Sequence, residues 1–211
     1  MDQARSTNAL PTPATAATPG AAGRSTPEQT RTKDLLASSI VLGFVSIAWF
    51  GWALSGQRFV PALVVGMVLG VAAGIWAVVE RRRAPGLGSH QLSPEANRVW
   101  NRWVLFELIL IVAGGFVLTR LGVPQYLAAW TLAVVGVHFQ PLARFYRLPS
   151  LSVLAVVCVV VALLAVLAGS AGWVTPMTVA GGLGGLAMLA TSLVGTLTTR
   201  GGRSRTGPPR T

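Results

Sequence analysis

A chain of 211 residues that is 52% hydrophobic and only 11% charged, with mean hydropathy +0.61, lies outside the range of soluble domains. Its net charge of +11 would fit a nucleic-acid partner only if the cations lined one surface, and they are instead scattered through short connections and both tails. Composition thus excludes an ordinary soluble domain, predicts no nucleic-acid partner, and makes anionic lipid headgroups the natural partner of these charges.

Residues 1–33 are rich in Ala, Thr, Pro, Ser and Gly and lack Phe, Trp, Ile and Val. Such a segment buries too little surface to offset its ordering entropy, so a disordered N-terminal tail is expected. The apolar run that follows, Leu36 to Leu54, is longer than the core of a signal peptide and predicts a retained helix, although Ala53-Leu54-Ser55 has the small-x-small form of a cleavage site. Ser55, Gly56 and Gln57 then turn the chain into a second helix from Phe59 to Val79, with Pro61 in its first turn.

Glu80, Arg81, Arg82, Arg83, Pro85 and Gly86 open a loop, and Ser93, Pro94 and Glu95 carry the cap, the proline and the acid of a helix start. The third helix is expected to begin in water near Pro94, enter the bilayer near Trp100 or Trp103, and leave at Arg120. Gly122 and Pro124 mark a short turn into a fourth helix, Pro124 to Phe139. Because these sixteen residues cover only about 24 Å of a ~30 Å hydrocarbon core, continuation past Pro141 with a kink is expected, to an end at Pro149. The fifth and sixth helices are predicted over Leu151 to Ala168 and Val174 to Leu197, before a basic, disordered tail at 200–211. The fold class is therefore all-α, a polytopic membrane bundle of six transmembrane helices over residues 34–199.

Six crossings place both tails on one side. Of the 17 Lys and Arg residues, all but Arg58 and Arg120 then fall on that side, which the positive-inside rule identifies as the cytoplasm. An odd number of helices would scramble the alternation. The expected address is thus the cell membrane, multi-pass, with both termini cytoplasmic. A single lysine, Lys33, among many arginines, with Ala, Gly and Val dominant, matches a G+C-rich bacterial genome. Arg81, Arg82, Arg83, Arg144 and Arg147 are expected to contact anionic lipid.

Glycines recur every four residues at Gly66, Gly70 and Gly74, and again at Gly181 and Gly185. Small residues let helix backbones approach closely in lipid, so these stripes predict either packing within the bundle or a homo-oligomer seam. Trp49, Trp52 and Trp173 read as an outer aromatic belt, and Trp76, Trp100 and Trp103 as an inner one.

Few polar residues lie inside the apolar runs. Glu107 is the one carboxylate well inside, and its own helix places no cation three or four residues away. His138, on a helix running back toward the same side, ends at a similar depth, which makes a contact with Glu107 geometrically reasonable. Pro141 cannot donate to the Val137 carbonyl, so a free acceptor is expected near that imidazole. Gly136, His138 and Pro141 with Glu107 form the candidate polar site, able to relay a proton, bind a polar solute, or simply orient two helices. Cys158 has no second thiol and is expected to be a small core residue, and His90 a solvated loop residue.

The segment Gly136-Val137-His138-Phe139-Gln140-Pro141-Leu142-Ala143, within a six-helix layout, resembles an uncharacterised family of small six-helix bacterial integral membrane proteins. In that family a similar G-x-H-[FY]-x-P segment closes the fourth helix. The resemblance implies a fold and an address. It carries over Gly136, His138, Phe139 and Pro141 as motif residues and brings no activity.

With one His and one Glu embedded and no Asp, the ligand sets of a metal hydrolase and the triad of a serine hydrolase are missing. The expectation is a non-enzymatic membrane protein without a cofactor, a small-solute or proton-linked carrier. The alternatives are an interaction or structural protein that uses its basic tails, and a membrane-embedded enzyme.

Overall fold

The computed structural model describes residues 27–84 and 94–205. The disordered tails expected at either end are covered only from residue 27 and to residue 205, and His90 and the Ser93 cap lie outside the described residues. Among the described residues the chain forms α1 (Pro27–Leu54), α2 (Val60–Arg83), α3 (Pro94–Arg120), one 3-10 turn (Pro124–Tyr126), α4 (Leu127–Tyr146), α5 (Pro149–Ser170) and α6 (Pro176–Arg205). All six helices are long and apolar enough to cross a membrane, with spans of 21 to 26 residues against the roughly 20 that a bilayer requires.

Helix ends differ from the apolar runs in instructive ways. Helix α1 begins at Pro27, ahead of Leu36, and α6 continues to Arg205, past Leu197. The boundaries at 33 and 199 therefore mark where hydrophobicity changes, and the helices run on through them. Helix α4 passes through Pro141 and stops at Tyr146, so Pro149 opens α5 rather than closing α4.

Three helices end in the same way. Gly122, Gly172 and Arg147 each adopt a left-handed conformation, with φ of 74°, 70° and 53°. In each case the following amide reaches back five residues, Val123 to Leu118, Trp173 to Ala168 and Leu148 to Ala143, which is the Schellman arrangement that satisfies the last carbonyls. Glycine adopts this conformation without a Cβ clash; Arg147 does not have that freedom.

Helix α1 is the centre of one half of the bundle, packed between α2 and α6, and α4 pairs with α5, which joins the halves by packing on α6. Gly43 of α1 meets Gly74 of α2 so closely that a Cβ on Gly43 would lie 2.7 Å from the Gly74 nitrogen. Gly181 of α6 approaches the α1 backbone equally, with a Cβ there 2.6 Å from the Trp49 carbonyl. Phe50, almost fully buried, inserts between Gly66 of α2 and Gly185 of α6. The glycine stripes thus face close neighbours within the chain, Gly66 and Gly185 against Phe50, Gly70 against Ser46, Gly74 against Phe44 and Gly181 against Ala53. Ser192 Oγ donates to the Ser39 carbonyl at 2.7 Å, fastening α6 to α1 in the same interface.

Helix α3 is the outlier. It packs on α4 and the 3-10 turn, and no residue of its apolar window is buried. Trp49, expected in the outer belt, is instead a core residue at 4% exposure, its ring 5.4 Å from that of Trp52, whereas Trp173 is exposed. Glu80 is not a loop residue either. It lies in the last turns of α2 and is buried.

Candidate functional site

The α3–α4 seam brings Glu107 and His138 together. The helices run antiparallel through the tight Leu121–Val123 turn, so Glu107, fourteen residues before the turn on α3, comes level with a residue near the far end of α4. Glu107 Oε2 lies 3.4 Å from His138 Nδ1, with the His138 side chain 7% and the Glu107 side chain 19% exposed. That is ion-pair distance without hydrogen-bond alignment, and His138 Nδ1 has no hydrogen-bond partner.

Aromatic rings wall the pair. Trp100 stands edge-on to His138 at 6.3 Å and to Tyr146 at 6.2 Å, and Phe139 flanks the imidazole at 6.5 Å. Such edge-on contacts fix the imidazole plane and narrow its access to water. Trp100, assigned to the inner belt from sequence, is therefore also a wall of the site.

The rest of the motif divides. Gly136 faces away, against α5, where a Cβ would lie 2.9 Å from the Ala155 carbonyl and 3.0 Å from Cys158 Cβ. It permits close packing and does not touch the pair. Pro141 lies one turn beyond His138 in an uninterrupted helix, so the Val137 carbonyl lacks the proline donor as expected. Cys158 is fully buried in the core.

The arginines expected at headgroups are all exposed. Arg81, Arg82 and Arg83 end α2, Arg144 lies in the last turn of α4 and Arg147 follows it. These helix ends, with the start of α3, lie at one end of the bundle by alternation of direction. At the other end Arg58 donates to the Trp173 carbonyl at 3.2 Å, and the Arg120 guanidinium stands 4.8 Å over the Phe116 ring.

Two side chains of α4 escaped the sequence reading. Trp130 Nε1 donates to the Leu110 carbonyl at 3.0 Å while its ring rests on Gly114. A lone indole donor inside an apolar run, with a glycine at matching depth on the previous helix, was the available signal. Thr131 is 6% exposed and its hydroxyl has no hydrogen-bond partner. Among the described residues no three His, Cys, Asp or Glu side chains gather in one place.

The fold defines a class, a helical protein with six helices able to cross a membrane. No family model, curated protein or solved structure matches the chain, so the particulars of its function rest on the seam itself.

Proposed function

We propose that this is a bacterial cell-membrane protein with both termini in the cytoplasm, and that it is a non-enzymatic carrier moving a proton or a small polar solute past Glu107 and His138. One observation carries the reading, the 3.4 Å approach of an embedded carboxylate to an embedded imidazole across two membrane-length helices. Ionisable groups inside a bilayer are costly, and where they occur they commonly line ion and proton pathways. A single proton held by the pair, on either residue, leaves its net charge at zero. That permits proton exchange at low cost in an apolar setting.

The orientation is supported by the arginine-rich end of the bundle, where Arg81, Arg82, Arg83, Arg144 and Arg147 are exposed. Fluorescent labelling of tags at each terminus, with and without permeabilisation, is expected to find both on the inside. For the carrier, Glu107→Gln and His138→Ala are expected to fail to complement a deletion strain. Full rescue by both would end that reading.

A second reading is an interaction or structural protein that docks on anionic lipid or a cytoplasmic partner. The exposed arginines gathered at one end favour it. Removal of residues 1–33 and 201–211 would then abolish function, whereas a carrier should tolerate it.

A further inference from the structure

The Glu107–His138 pair lies at one end of a stripe of α4 that carries a second buried polar residue, Thr131. Along α4, Leu127, Thr131, Val134 and His138 share one stripe of the helix, at spacings of four, three and four residues. Both ends of that stripe touch α3, Leu127 against Gly115 and His138 against Glu107. Thr131 and Val134 lie between them on this stripe, and both are buried.

Two atoms on this stripe are orphaned. Thr131 Oγ1 and His138 Nδ1 are the buried side-chain polar atoms left without a hydrogen-bond partner among the described residues. A buried polar group without a partner costs on the order of 1–3 kcal/mol; Thr131 Oγ1 has no hydrogen-bond partner and His138 Nδ1 has only the misaligned Glu107 carboxylate at 3.4 Å, so both can take a further partner such as water. They are two helical turns apart, about 10 Å along the axis, a gap that about three hydrogen-bonded waters would span. Measured along the Pro124–Tyr146 span, Thr131 lies on the turn side of the middle and His138 on the arginine-rich side.

We propose that the α3–α4 seam binds a short file of water between His138 Nδ1 and Thr131 Oγ1, carrying protons from the Glu107–His138 pair across the middle of the membrane. The inference rests on the carrier reading and narrows its cargo to the proton. A proton taken up by the Glu107 carboxylate passes to water held at His138. Each water, and last the Thr131 hydroxyl, accepts one proton as it gives up another, and the proton that Thr131 releases passes to bulk water on the far side when the closure beyond it parts, so charge and atoms balance at every step. Beyond Thr131 the seam is shut by Trp130 on Gly114 and by Leu127 on Gly115. Because α3 packs on α4 and the 3-10 turn, that plug can part without opening the α1–α2–α6 core.

The test uses the full chain in liposomes of phosphatidylethanolamine and phosphatidylglycerol, with an internal pH dye, an imposed proton gradient, and potassium with valinomycin to clamp the voltage. Wild type is expected to pass protons well above protein-free liposomes, and Glu107→Gln to lose at least tenfold. Thr131→Val, nearly the same in shape, is expected to lose about tenfold, and Thr131→Ser to stay within about twofold of wild type. Circular dichroism confirms folding, with Thr131→Ala used if the valine variant is not recovered. Wild-type flux in Thr131→Val beside a dead Glu107→Gln would overturn the water file and leave the carrier reading standing. Equal losses in the serine and valine variants would also overturn it, since the hydroxyl would not be the cause. No flux from wild type would remove the proton path altogether.

Discussion

The Trp130 indole donates to the Leu110 carbonyl at 3.0 Å and occupies the space that a Gly114 side chain would fill. This one residue ties α3 to α4 by a hydrogen bond and by contact at the same point. Trp130→Phe keeps an aromatic ring but removes the indole donor, and is expected to lower stability by at least about 1 kcal/mol, in the range of interhelical hydrogen bonds in membranes. Gly114→Leu should cost more, because the new side chain must push the indole aside. Unfolding in mixed detergent micelles measures both, and a neutral Gly114→Leu would contradict the contact.

Glu107 and His138 should be energetically coupled. A double-mutant cycle with Glu107→Gln and His138→Ala is expected to give a coupling of about 1 kcal/mol, as found for polar pairs between membrane helices. Additive effects would mean that the two side chains act separately despite their 3.4 Å approach.

Phe50 fills a slot with glycine on both sides, from α2 and α6. Phe50→Ala is expected to cost about 3 kcal/mol, the lower end for deleting a buried phenyl ring. Gly66→Leu and Gly185→Leu should each be as damaging, because the ring they meet has nowhere to retreat. A Gly66→Leu protein with unaltered thermal stability would show that the slot is loose.

Arg147 holds the left-handed position that Gly122 and Gly172 hold in the other two caps. Arg147→Gly is expected to stabilise the protein by about 1 kcal/mol, the cost a Cβ imposes in this conformation. Gly122→Ala and Gly172→Ala should move in the opposite direction by a similar amount. Thermal melts of the three variants read both signs.

Much of the fold was legible because hydrocarbon imposes a simple rule, about twenty apolar residues per crossing, and the turns carry glycine and proline where helices must stop. The glycine stripes were visible, but their partner was not. Periodicity marks a face as close-packing without saying that Phe50, on another helix, will occupy it. Glu80 was misplaced for a related reason. It adjoins three arginines and so reads as the start of a loop, yet a helix carried past the apolar run turns it inward. Of the site, Glu107 and His138 stood out as charges in apolar surroundings. Thr131 did not, because threonine is ordinary in a membrane helix until its hydroxyl is seen to lack an acceptor or donor.

The bond from Ser192 to Ser39 joins residues 153 positions apart, and it lies in the interface between the first helix and the last. During synthesis α1 must therefore wait, already in the bilayer, until the final span has been delivered. For that interval its groove for α6 is open to lipid and to the quality-control proteases of the membrane. A ribosome that stalls before Pro176 would release a product whose α1 lacks the α6 surface it packs against.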